Sequence, residues 1–319
     1  MTDFDESRAI LLDEPEPDAY MVTEYMSLAE ALQTSHLAPH SHCLIATYND
    51  TVLVMPTIAL VYHHVAQGKL DDLNWLVTFC ALCNAGSFYD ATLKGEVIRF
   101  AAQGYYDTMT LIADKDTQSY WDHLTGTCIS REREGEKLIH LSPLLQMTAE
   151  ETQHAYPDAL FAHMHLSDDV EATGKQWNDH YRMPEEPDHG GLAQTSGEED
   201  SRLPRYDMGL GIWTKDTHRY YSAHDIYTAH SVILDTLEGR TIVVCMDEMI
   251  GLPTVFYCET ENAVMAFGEV RLDNNQVYKQ GVLYKDSTPM KAERPTHNAI
   301  RWYGFSSLFP GCEIYGCDD

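Results

Sequence analysis

TIALVYHH (57–64) and WLVTFCALC (75–83) return later in the chain: shifted by 166 residues they reach the stretch around HDIYTAHS (224–231) and TIVVCMDEM (241–249). The shift sets Leu76-Val77-Thr78 against Ile242-Val243-Val244, His64 against His230, Cys80 against Met246 and Cys83 against Met249. Small indels extend the match to VIRF (97–100) with VMAF (264–267), Lys115-Asp116-Thr117 with Lys285-Asp286-Ser287, and AYPDALFA with LFPGCEIY. One such coincidence means little between β-rich segments. The same landmarks in the same order predict an internal duplication. The fold class expected is α+β, two β-rich tandem repeats joined by an acidic loop.

Working outward, TVLVM and NWLVTFC are short β-prone runs, and GSFYDATLKGEVIRFAAQG predicts a hairpin turning at Lys94-Gly95. Strands are expected at TMTLIAD, KLIHLSP and ALFAH, and a helix at TAEETQHAY before Pro157. The helical spacing of MVTEYMSLAEALQTSH predicts a short helix in an acidic N-terminal segment, 1–44. Repeat 1 would then run over 45–165 and repeat 2 over 209–319. Residues 166–208 between them, rich in acid, Gly and Pro, predict a long loop or lid.

Fifty Asp and Glu against 21 Lys and Arg give a formal charge of −29. Such a surface repels nucleic acid and anionic lipid, whose binding rests on basic patches. No apolar run approaches the roughly 20 residues of a membrane span. The acidic start, MTDFDESRAILL, lacks the features of a signal peptide, so a cytoplasmic location is expected. Eight cysteines in such a chain read as thiols or ligands rather than as a disulfide framework.

Cys80 and Cys83 end an apolar strand and precede a small-residue turn, a spacing that lets two thiolates face one ion. Thiol redox chemistry favours a C-x-x-C at a helix N-terminus, whereas Gly86-Ser87-Phe88 leads into another strand. Metal ligands, a redox pair and inert buried thiols are the three readings. No second C-x-x-C exists to close a zinc site. The nearest upstream imidazoles, His63 and His64, read as ligands or as ordinary capping and surface histidines. Soft sulfur with imidazole favours Cu(I), with zinc or iron also suited. His163-Met164-His165, with His154, His180 and His189 nearby, is dense in imidazole, and the bland reading is exposed loop histidines. Asp116, Thr117, Ser119 and Trp121 read as a capped turn and a core plug. Gly-x-Ser-x-Gly, phosphate-loop and dinucleotide fingerprints are missing.

Taken together, Met55-Pro56, Tyr62-His63-His64, Val77-Thr78-Phe79-Cys80-Ala81-Leu82-Cys83-Asn84, Phe100, Gly104, Asp116-Thr117-Gln118-Ser119-Tyr120-Trp121, Gly135, Leu138 and Tyr156-Pro157 keep an order over about 110 residues. The chain here resembles the bacterial and archaeal domain of unknown function numbered 3179, whose pattern runs W-H-E, V-T-Y-C-P-L-C and D-x-x-T-x-S-x-W. The resemblance implies that His63, Cys80 and Cys83 are its characteristic polar positions. His64 stands where the family has Glu, and Ala81 where it has Pro. The resemblance itself carries no reaction. The expectation is a metal-dependent oxidoreductase, copper favoured, acting on a small molecule through His63, Cys80 and Cys83. A non-enzymatic zinc-binding structural protein, or a metal-free thiol redox protein, is the alternative.

Overall fold

The computed structural model describes residues 4–13, 18–181, 195–273 and 275–317. Strand accounts for 46% and helix for 17%, so the fold is built mainly from sheets. The expected strands and helices form at Thr51–Pro56, Leu73–Cys80, Met109–Asp114, Ile139–Ser142, Leu160–Ala162 and Ala149–Ala155. The hairpin turns at Lys94 (φ 53°) and Gly95 (φ 88°), two left-handed residues in a row, as a two-residue turn matched to strand twist requires.

Two sheets, one per half, share one plan. In the first the order is Leu145–Thr148, His42–Tyr48, Thr51–Pro56, Leu160–Ala162, with Tyr25–Ser27 outside. In the second it is His297–Arg301, Met208–Trp213, His218–Ser222, Glu313–Ile314. Antiparallel and parallel pairings match strand for strand, and so does the register: Leu53 faces Leu160 as Arg219 faces Glu313. A helix then leads to a three-stranded ladder in each half: Thr57–His63 to Val65–Leu70, Leu73–Cys80 and Ala85–Asp90, and Ala223–Thr228 to Val232–Leu237, Arg240–Asp247 and Leu252–Tyr257.

The ladders correct one detail of the sequence alignment. The tight turn Leu70–Leu73 corresponds to Leu237–Arg240, a shift of 167. Cys80 therefore stands opposite Asp247, not Met246, and Cys83 opposite Ile250, not Met249. The extra residue sits where two left-handed residues, His230 (φ 60°) and Ser231 (φ 66°), replace the single His64 (φ 57°).

Two further expectations change. Met21–Ser27 forms strands rather than helix, and only Leu28–Gln33 is helical, with the Ser27 hydroxyl capping Glu30 N at 3.1 Å. The N-terminal segment adds strands to three sheets of the first half. The supposed loop 166–208 begins as a helix, Asp168–Tyr181, whose acidic first turn suits the positive end of the helix dipole. It docks on Thr57–His63 through a stack of Trp177 on Tyr62, centroids 5.6 Å apart. His189 lies outside the described residues.

One apolar cluster joins the halves. Cys80, Leu82, Cys83, Met109 and Leu124 are buried with Tyr220, Ile300, Trp302, Tyr303 and Phe305. The C-x-x-C turn is thus part of the seam.

Candidate metal centre

Cys80 is the last residue of its strand and pairs with Ala85 across the turn, which closes on left-handed Asn84 (φ 60°). Gly86 follows because a Cβ there would overlap the Thr78 carbonyl oxygen. The second half holds the turn in place. Arg301 N donates to Cys83 O (3.0 Å), Asn84 Nδ2 to Ala299 O (2.9 Å) and Gly86 N to Asn298 Oδ1 (3.2 Å).

The imidazole that joins the two sulfurs is His123. Among the described residues, Cys80, Cys83 and His123 offer ligand atoms all within 4.8 Å of one another. All three are buried, His123 to 0% exposure. His123 follows the strand Tyr120–Asp122 in a turn organised by Asp122 Oδ1, which accepts from Leu124 N (3.1 Å) and Thr125 N (2.6 Å). Its carbonyl accepts hydrogen bonds from Thr78 Oγ1 (2.8 Å) and Tyr89 Oη (3.1 Å), so two strands fix its backbone. Among the described residues, neither ring nitrogen has a hydrogen-bond partner. A buried unsatisfied polar group costs about 1–3 kcal/mol, so a ring in this condition is out of place unless something else binds it.

Burial alone would raise the Cys80 thiol, but a hydrogen bond from Cys83, the adjacent His123 and the Thr110 hydroxyl outweigh it and hold Cys80 well below the ordinary thiol range. Burial and the neighbouring Cys80 push the Cys83 thiol well up. The two buried sulfurs are thus pushed in opposite directions. All cysteines among the described residues are free thiols, so neither sulfur is tied up in a disulfide.

His63 lies outside this group. Its Nδ1 faces the Asp18 carbonyl oxygen at 3.1 Å, and its ring sits edge-on to Tyr20 and Tyr62. His64 is nearer. It caps the helix Thr57–His63 in a left-handed conformation, is buried, and has Nδ1 3.3 Å from Phe79 O. Burial depresses its pKa, with Cys80 opposing that shift. The predicted turn plug is present in altered form: Asp114, not the exposed Asp116, accepts from Thr117 N (2.7 Å) and from Trp121 Nε1 (3.0 Å).

No helix among the described residues is long and apolar enough to cross a membrane. No curated protein and no solved structure matches the chain. The family described as "Protein of unknown function (DUF3179)" matches residues 22–306, and the chain belongs to that family.

Proposed function

We propose that Cys80, Cys83 and His123 hold one soft transition-metal ion, copper in preference to zinc or iron, as the redox centre of an oxidoreductase acting on a small molecule. The observation that carries this reading is the His123 ring: fully buried, unpartnered at both nitrogens, and within 4.8 Å of two buried sulfurs. Coordination through one nitrogen gives that atom a partner, and thiolate with imidazole is a donor set that Cu(I) prefers. When bound, copper supplies one-electron chemistry. The chain's own part is to exclude water, orient the ring through its clamped carbonyl, and hold the two sulfurs beside it. His123 takes the place expected for His63.

Burial weighs against a metal-free thiol redox protein, because exchange with an outside disulfide requires an accessible thiolate. The same burial, with the seam contacts of Cys83 and Asn84, supports a second reading: a zinc ion clamping the two halves. Elemental analysis of gently purified protein separates the two. Redox-active copper near one per chain, lost in Cys80→Ser and His123→Ala, supports the oxidoreductase. Colourless zinc whose chelation unfolds the chain in a circular dichroism melt supports the clamp. Metal content unchanged in both variants sinks the site.

We infer as well that the halves arose by internal duplication. Identical strand order and identical register in the two sheets support it.

A further inference from the structure

We propose a second, separate cation site on the surface of the first half, in which His163, His165 and Glu24 bind a first-row divalent ion of intermediate softness, with Zn2+ and Co2+ as its type. It goes beyond the soft-metal reading and does not depend on it.

The three side chains come from two segments that the backbone already ties together. His163 and His165 follow the strand Leu160–Ala162 at alternate positions, which in extended chain puts both rings on one side. Their ring centroids are 3.9 Å apart. Glu24 lies in the connection between Tyr20–Val22 and Tyr25–Ser27, and its carbonyl accepts from His163 N at 3.0 Å. Tyr20 Oη in turn accepts from His165 N at 2.6 Å. Glu24 Oε2 stands 3.0 Å from His165 Nε2 and 3.7 Å from His163 Nδ1. The ligand atoms of all three residues lie within 4.8 Å of one another, the size of a single-ion site.

Two imidazoles and one carboxylate form a harder donor set than two thiols and an imidazole, so the two sites differ in the ions they prefer. His163 is 13% exposed, while His165 and Glu24 are more than half exposed, so an ion reaches the site from solvent and keeps room for water. The ring of exposed His36 stands edge-on to His163 at 4.7 Å. The chain's formal charge of −29 raises the local concentration of any cation.

The test is Co2+ titration of the full-length chain, followed by absorption. Thiolate ligation gives a sulfur-to-cobalt charge-transfer band, whereas imidazole and carboxylate ligation gives none. Wild type is expected to bind two ions, one with the band and one without. His163→Ala/His165→Ala should keep the band and lose the other ion, its affinity falling by more than about 100-fold, beyond the loss typical when only a ligand's hydrogen-bond partner is changed. Cys80→Ser/Cys83→Ser should do the reverse. Glu24→Gln, which preserves size on an exposed loop, guards against misfolding and should also weaken the band-free ion. If that ion binds equally well in the histidine and glutamine variants, or if wild type takes up none, the second site is overturned. A missing band with an intact band-free ion overturns the soft-metal site alone.

Discussion

The turn after Leu73–Cys80 and the turn after Arg240–Asp247 have the same backbone and opposite chemistry. Each follows a bond from the strand to the residue just before the preceding strand, Phe79 N to His64 O at 2.8 Å and Met246 N to Ser231 O at 3.1 Å. Each ends on a left-handed residue, Asn84 or Gly251. Each turn is packed against the opposite half. Across from Cys83 lies Gly304, where an added Cβ would come 3.1 Å from Cys83 Cβ. The position equivalent to Gly304, by the matched register of Arg301 and Thr148, is Glu151. In the second half Cys80 and Cys83 are replaced by Asp247 and Ile250, and Glu151 comes into the electrostatic reach of Asp247. One scaffold therefore presents two thiols at one end and two carboxylates at the other. The backbone does not choose the chemistry; four side chains do.

The largest effect should come from exchanging a soft ligand. Cys80→Ser puts a poorly ionised hydroxyl in place of a thiolate, and copper or zinc content should fall to near zero, while Asp247→Asn at the matching position leaves it unchanged. Equal loss in both variants would erase the distinction between the two turns.

The next effect has a sign that decides occupancy. His123→Phe removes two unpartnered nitrogens, each costing about 1–3 kcal/mol when buried and unsatisfied. Against metal-stripped wild type the variant should melt higher, and against metal-loaded wild type lower, because a bound ion stabilises the native state. A variant that melts above both would mean the ring holds no ion.

The fold could be read from sequence better than the site, for physical reasons. The hairpin at Lys94-Gly95 and the helix before Pro157 carry local signals, namely turn chemistry and capping. The family landmarks, too, are local. The one-residue slip in the repeat alignment arose because Leu76, Val77, Ile242 and Val243 are buried on both faces. Such strands lack the polar alternation that fixes register. His123 escaped notice because its partners are assembled by pairing of distant strands, not by spacing. The available signal was a polar ring between the core residues Trp121 and Leu124. His63, the imidazole at the family's characteristic position and close upstream, points to the Asp18 carbonyl instead.

A smaller effect tests why the first turn faces a glycine. Gly304→Ala puts a methyl against Cys83 Cβ, and the neighbour must shift by a few tenths of an ångström. Overpacking of this kind costs about 1–3 kcal/mol, partly offset by roughly 0.5–1 kcal/mol gained when Ala replaces Gly in a helix. Metal affinity should drop modestly with the fold intact. Equilibrium metal competition against a chelator would measure it, and unchanged affinity would mean the turn tolerates bulk and Gly304 is incidental.

The smallest expected effect lies at the carboxylate end and depends on pH. Burial, and then the charge of Asp247, raise the Glu151 carboxyl from its ordinary 4.5 to about 7. Its Oε2 accepts from Thr148 N (2.9 Å) and Thr148 Oγ1 (2.8 Å) in a capping box. The folded state thus holds a proton that the unfolded chain releases, so this contribution is complete below pH 4.5 and is lost as pH rises through 7. Buried His140 and His297 work in the opposite direction. Burial, aided by Lys137 for the first and Arg294 for the second, depresses them to about 4 and about 3. Their contribution is present above 6.5 and is lost as pH falls. Wild-type stability should therefore level off toward pH 8. Glu151→Gln keeps an acceptor for the cap but cannot ionise, so only the carboxyl's slope should vanish. The variant should gain on the order of 1 kcal/mol relative to wild type between pH 5 and pH 8, a few degrees in Tm. Paired thermal melts at the two pH values measure it. A variant that tracks wild type at both would show that burial and Asp247 do not hold a proton on Glu151 in the folded state.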